Sequence, residues 1–234
     1  MSSKPNQSLL PASLYSNMKY IPKPFLQDSI KSKVFVSLNY QTFNRDDKHM
    51  ITNATEFAFT RGHTFKNFQF GYGASYTSGK ASYDRYDNTG KLLNRDKSNF
   101  NSILLQTSFN GIVKKKNIEY RYLSLDLAYS KEGGNYKIDR ANLEGKKFYT
   151  TLSNTSIYTI GLSSEIAKKS DDIGLAIRFG LAKNIGNFVY VNELNKTINN
   201  EIFPYVTFYL NYKQISVTSE LSSESARLGL AFSF

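Results

Sequence analysis

Large apolar side chains alternate with small ones along most of this chain, and a period of two restricts those segments to β structure with two unlike faces. Val34, Val36, Leu38 and Tyr40 share one face of a segment whose other face carries Ser37, Asn39 and Gln41. Phe68, Phe70, Tyr72, Ala74 and Tyr76 oppose Asn67, Gln69, Gly71, Gly73 and Ser75. The pattern returns around Phe57, Ile103, Leu125, Tyr158, Leu175, Phe208, Val217 and Leu230, which makes ten candidate strands between residues 33 and 234.

The second face decides the architecture. A soluble sandwich buries its large face and wets a charged one. Here the second face is Gly, Ser, Ala and Thr, which suits the crowded interior of a narrow barrel with the large face turned to lipid. A soluble barrel or sandwich is the competing reading. The connections favour the membrane. Residues 61–64, 111–117, 168–172 and 211–214 read as short turns, and 79–98, 132–154 and 184–201 as long polar loops, the asymmetry of transmembrane barrels. The expected fold is all-β: a closed antiparallel up-and-down transmembrane β-barrel of about ten strands over 33–234. Eight strands would require merging 203–221 and would leave the C-terminus on the wrong side. Residues 1–32 carry Pro5, Pro11, Pro22 and Pro24 with no period, and read as an extended N-terminal arm.

Composition agrees where it speaks. Tyr and Phe number 17 each, and both suit strands and membrane interfaces. Tyr40, Tyr76, Tyr129 and Tyr158 fall towards the long-loop ends of their strands, and Phe109, Tyr212 and Phe234 towards the short-turn ends, as two aromatic girdles would. No segment is long and apolar enough for a transmembrane helix. The absence of Cys excludes disulfides and thiolate metal sites. A net charge of +11 fits nucleic acid, anionic lipid or an acidic partner. Its longest run, Lys114 to Lys116, lies between two strands and reads as a solvated turn; no nucleic-acid motif accompanies it. The first residues form no signal peptide, so a leader is expected to have been removed. The start also looks like a mature lipoprotein whose lipid-bearing Cys has been replaced.

The last ten residues, SARLGLAFSF, resemble the closing strand of bacterial outer-membrane β-barrels. The matching positions are Leu228, Leu230, Phe232 and Phe234. The resemblance implies outer-membrane localisation, and a terminal aromatic strand that serves as the signal read by the barrel assembly machinery. The Lys-, Asn- and Tyr-rich composition and the YIPKP arm look similar to outer-membrane proteins of Bacteroidota.

Chemistry is sparse. His49 lies beside Asp46 and Asp47 in the first long-side loop, and His63 in a short turn. An outer-membrane protease or lipid-modifying enzyme needs partners within hydrogen-bond reach. Adjacent Asp46 and Asp47 would point to opposite faces of a strand, and no Asp-x-His element occurs, so a solvated loop His is the better account. Asp84, Asp87 and Asn88 match no calcium loop. Gly71 and Gly73 form GYG without the Lys-Ser/Thr of a phosphate loop, and relief of crowding explains them. No cofactor is expected.

Two constellations stand out. Glu56, Asp126, Glu165, Arg178, Glu220 and Arg227 all face inward in this register; Glu165 and Arg178 lie on neighbouring strands, as do Glu220 and Arg227, and Asp126 is one strand further from Arg178. Unpaired charges there would be costly, so a structural plug of ion pairs is expected, against a polar lining for small solutes. The long loops hold Arg85, Tyr86, Lys91, Arg95, Tyr136, Arg140, Lys146 and Lys147, a mix able to grip a protein or the phosphates of lipopolysaccharide. Ordinary solvated loops are the plain alternative. The functional expectation is a non-enzymatic barrel that binds an envelope partner or ligand through its outer loops or its arm. The alternatives are a narrow porin-like channel and, third, an enzyme centred on His49.

Overall fold

The computed structural model describes residues 7–12, 17–45, 50–146, 148–151, 155–185, 202–223 and 225–234, apart from the side chains of Ser8, Arg45 and Thr150. After a short strand β1 (Gln7–Leu9) come β2 (Ser32–Arg45), β3 (Met50–Thr64), β4 (Phe68–Tyr86), β5 (Leu92–Lys115), β6 (Ile118–Gly133), α1 (Asn135–Leu143), β7 (Tyr149–Thr151), β8 (Ser156–Ser170), β9 (Ile173–Ile185), β10 (Ile202–Tyr212), β11 (Ile215–Ser222) and β12 (Ser225–Ser233). Ten of them, all except β1 and β7, close into one antiparallel barrel in which each strand pairs with its chain neighbours and β12 returns to β2, Leu230 opposite Leu38. Closure leaves no strand edge, which is what a β structure needs in hydrocarbon. The two remaining strands, β1 and β7, pair in parallel as a separate two-stranded sheet.

The large faces point outward. Leu125, Leu162, Phe208 and Leu230 are 39%, 53%, 46% and 58% exposed, so the wall they form is built for lipid. Aromatic groups stand at both ends of that wall. Tyr129 and Tyr158 pack with ring centroids 4.8 Å apart on the long-loop side, and Phe68 and Phe109 5.5 Å apart on the short-turn side. His63 lies within β3, not in a turn, its ring against Phe65, Phe70 and Tyr72.

The connections differ in detail from the sequence expectation. The four short turns tighten to 65–67, 116–117, 171–172 and 213–214, with left-handed backbone at Lys116, Asp171 and Lys213. The expected loop at 79–98 is mostly strand: β4 and β5 run on as a hairpin and turn only at 87–91. Residues 132–154 contain α1, which buries Tyr136, Arg140 and Leu143 along one stripe at helical spacing. Residues 46–49, with Asp46, Asp47 and His49, lie outside the described residues, as do 186–201 and Lys147.

The core of this molecule is inside the barrel. With β1 at the long-loop end, residues 17–28 of the arm pass down the lumen from Asn17 to Asp28 at the short-turn end before β2 begins. Tyr20 and Phe25 form an apolar cluster with Ala167, Ala176 and Tyr209 of the inner wall, while Leu9, Leu10 and Met18 join a larger one with Leu104, Tyr136 and Tyr205. The arm explains part of the small face. A Cβ on Gly62 would stand 2.4 Å from the Pro22 carbonyl oxygen and 2.9 Å from Lys23 Cα, both backbone atoms that no rotamer change can move aside.

Candidate functional site

The site is the lumen with the arm in it. At the short-turn end Asp28 forms a latch. Its carboxylate accepts hydrogen bonds from Lys33 (3.1 Å), Lys169 and the Phe25 backbone N–H (3.1 Å). The Pro24 carbonyl accepts from Gln69 Nε2 at 2.9 Å, and the Leu26 N–H donates to Glu119. One level higher, Arg121 is fully buried and forks between two carboxylates, Nη1 to Glu165 and Nη2 to Glu119 at 3.3 Å. The Tyr20 hydroxyl donates to Glu165 at 2.9 Å, and the Phe25 ring lies 5.2 Å from the guanidinium carbon. Lys23 Nζ reaches Ser108 Oγ at 3.0 Å, and Lys19 is held by Ser75 Oγ at 2.9 Å and by Glu56.

On the wall, Arg178 crosses β8 to Asp126, the cross-strand neighbour of the Ser108 that holds Lys23, donating on the way to Ser163 Oγ at 2.9 Å. Arg227 pairs with Glu220 at 3.2 Å, and Glu220 also accepts the Tyr20 backbone N–H at 3.2 Å. At the long-loop mouth Asn17 donates to Ser130 Oγ at 2.9 Å, Ala12 N–H donates to Glu132, and Arg140 bridges Glu132 and the Leu10 carbonyl.

All six expected lumen charges are inside, and the structure brings them together with corrections. Glu165 and Arg178 are Cα partners, yet their side chains part: Arg178 takes Asp126 and Glu165 takes Arg121. Glu220 and Arg227 pair as expected. Tyr122 is 52% exposed and stands outward together with Leu123. A bulge between Arg121 and Ser124, with Leu123 at φ 48°, puts two consecutive residues on the outer face and turns Arg121 and Glu119 inward.

The outer-loop residues divide. Tyr136 and Arg140 are fully buried and donate to the Leu10 carbonyl at 3.1 and 3.2 Å, so they anchor the arm and are not available to a partner. Arg85 pairs with Asp96 at 3.2 Å and Arg95 with Asp84 at 2.9 Å, stiffening the hairpin. Tyr86 is half-buried, its N–H on the Tyr149 hydroxyl. Lys91 and Lys146 are exposed. Leu228, Leu230 and Phe232 face outward on β12 and Phe234 follows it, its N–H bonded to the Val34 carbonyl at 3.0 Å.

The charges balance. Among the described residues, Lys19, Lys23, Arg121, Arg140, Arg178 and Arg227 stand against Glu56, Glu119, Asp126, Glu132, Glu165 and Glu220, six of each sign, apart from the Asp28 latch with its Lys33 and Lys169. Without the arm, four arginines would face six carboxylates; Lys19 and Lys23 supply the difference. The gaps left beside the arm, one lined by Met18, Tyr205, Glu220 and Arg227 and another by Lys19, Asn39, Glu56 and Thr218, hold about 20 Å³ each, about the space of a single water. Among the described residues no group of three or more His, Asp or Glu is placed to hold a metal ion.

The Asp28 latch has a pH dependence. Burial pushes its carboxyl up, but the hydrogen bonds and charges of Lys169 and Lys33 outweigh it and hold the group below the ordinary aspartate value. A depressed folded-state pKa gives stability that is present above the unfolded value of about 3.9 and lost as pH falls through the folded one. Asp28→Asn therefore lowers the thermal midpoint at pH 7, and the gap from the unaltered protein narrows steadily below about pH 4. Melting curves of both proteins between pH 7 and 3 check this; a gap that stays constant contradicts it.

No family model matches the chain, and no curated protein matches it. Among solved structures it is similar to the translocator domain of the autotransporter NalP from Neisseria meningitidis, at 10% identity over 86% of this chain and 88% of that one, TM-score 0.47. It is similar to the beta domain of the Bordetella autotransporter Brka at 4% identity over 86% and 98%, TM-score 0.48. An outer membrane channel from Pseudomonas putida F1 matches at 8% identity over 92% and 100%, TM-score 0.35. The membrane assignment rests on this barrel's own apolar wall and closed hydrogen bonding.

Proposed function

We propose that this chain is a bacterial outer-membrane protein that works as a sealed barrel and offers its long-loop face to a partner in the cell envelope. The observation that carries the reading is the arm: it fills the lumen, neutralises the wall's excess carboxylates and leaves gaps of about 20 Å³. A solute channel needs a path that this packing removes, and catalysis needs reactive groups that are not committed to structural pairs.

The long-loop face is stiff and part apolar. The β4–β5 hairpin exposes Leu92 and Leu93 next to Lys91 in the chain, and α1 exposes Ile138 next to Lys137. Exposed apolar residues flanked by charge are a common feature of protein contacts. Two measurements test the proposal together. The intact protein in planar bilayers shows no steady conductance; long-lived open steps would overturn the seal. A photo-reactive amino acid at Leu93 or Ile138 gives a discrete adduct in native membranes that the same group at the exposed Tyr72 of the lipid wall does not; equal yields at all three would overturn the partner face.

A further inference from the structure

Among the described residues the lumen charges named above cancel, so the cations left without a carboxylate lie outside it. They are not spread evenly. At the long-loop end, among the described residues, Arg85, Arg95 and Arg140 are each paired with a carboxylate, and the exposed Lys80, Lys91, Lys97, Lys131, Lys137 and Lys146 are interspersed with Asp87, Asp139 and Glu144. At the short-turn end Asp171 stands exposed, and the other acids are already taken. Asp28 holds Lys33 and Lys169, Glu119 turns inward to Arg121, and Asp172 lies 3.8 Å from Lys213. Arg61, Lys66, Lys114, Lys115, Lys116 and Lys168 remain exposed, and no carboxylate pairs with them among the described residues.

These six occupy one sector. The strands that carry or flank them, β3, β4, β5, β6 and β8, are consecutive around the barrel. They also sit directly against the lipid-facing wall. Phe59, Val113 and Ile166, all exposed, stand two residues before Arg61, Lys115 and Lys168 on the same outward faces. Lys66 adjoins the stacked rings of Phe65 and Phe68, 4.4 Å between centroids. An apolar residue in the hydrocarbon with a long cation just beyond it is the arrangement in which the cation reaches the headgroup layer.

We propose that this arc binds the phosphate headgroups of anionic glycerophospholipids in the leaflet that meets the short turns. The inference rests on the membrane reading above. Charge complementarity names the occupant: clustered lysines at a bilayer surface attract anionic lipid over zwitterionic lipid, and the attraction is weakened by salt. The apolar residues alongside continue into the region of the acyl chains, which a soluble acidic protein would not require.

The test reconstitutes the full chain in bilayers of equal phosphatidylglycerol and phosphatidylcholine and counts the lipids that stay bound after mild detergent extraction. The unaltered protein retains a several-fold excess of phosphatidylglycerol. Lys66→Gln, Lys114→Gln, Lys115→Gln, Lys116→Gln and Lys168→Gln together abolish the excess. An equal number of changes on the other side, Lys80→Gln, Lys91→Gln, Lys131→Gln, Lys137→Gln and Lys146→Gln, leave it in place. No excess in the unaltered protein, or the same loss with both sets, overturns the proposal, and capture of an acidic protein by the arc without lipid preference overturns it equally. Failure to insert in any bilayer is a different result and would remove the membrane reading itself.

Discussion

Arg121→Met destabilises the folded barrel by about 3–5 kcal/mol, because it leaves Glu119 and Glu165 buried without their shared cation. The size follows from the position. The guanidinium is fully buried, serves both carboxylates from separate nitrogens and covers the Phe25 ring. Arg121→Lys keeps the charge but not the fork, and recovers only part of the loss. Adding Glu119→Gln and Glu165→Gln to Arg121→Met removes the orphaned charges and restores most of the stability, since a neutral polar or apolar filling of the same space is far less costly than an unpaired ion. Urea unfolding in lipid vesicles, followed by circular dichroism, checks the series. A single variant within 1 kcal/mol of the unaltered protein would show that the network is incidental; that threshold is the low end of what removing one buried partner costs.

Removing residues 1–26 opens the barrel. The wall keeps every strand pairing from β2 to β12, so closure of the sheet does not depend on the arm. The lumen that remains carries four arginines against six carboxylates, and its current is therefore carried by cations in preference to anions. Planar-bilayer recordings read both properties, the conductance and the reversal potential in a salt gradient. A synthetic peptide covering residues 7–28 closes the pore from solution, which separates loss of the plug from damage to the wall. A milder pair, Lys19→Gln with Lys23→Gln, leaves the arm's apolar contacts and removes its charge complement; it gives brief openings of the same cation preference. An anion-selective pore, or a truncated chain that folds and stays closed, contradicts the account.

The wall was legible in the sequence because each of its strands meets the same two media. Leu162 and Leu230 must face hydrocarbon, Ser163 and Gly229 must fit a crowded interior, and a period of two follows. The signal fades where the media change. Beyond the bilayer the outer face of the β4–β5 hairpin meets water in place of hydrocarbon while Ala81 and Tyr83 pack inward, so 79–98 looks like a loop while it is ladder-paired strand. The bulge in β6 reverses the phase at Tyr122 and Leu123, and a reading that carries one phase through it loses Arg121 and Glu119. The run of two large residues, Tyr122 and Leu123, with charges at 119 and 121, was the available sign. Tyr136, Arg140 and Leu143 carried a helical stripe inside a stretch that otherwise read as polar loop. The path of the arm was least legible, because it is fixed by matches far apart in the chain: Lys19 to Glu56, Lys23 to Ser108, Tyr20 to Glu165. No local pattern encodes those.

Every step depends on the wall facing lipid and the small face enclosing the arm. The chain has no Cys, so single cysteines can be placed at will and spin-labelled. On β8, labels at Ile160, Ser164 and Ile166 should collide freely with oxygen dissolved in the bilayer, while labels at Thr159, Ser163 and Ala167 should be shielded from it, giving an accessibility that alternates with every residue. The opposite phase, or no alternation, would place the bulky side chains in a protein interior and contradict the membrane barrel.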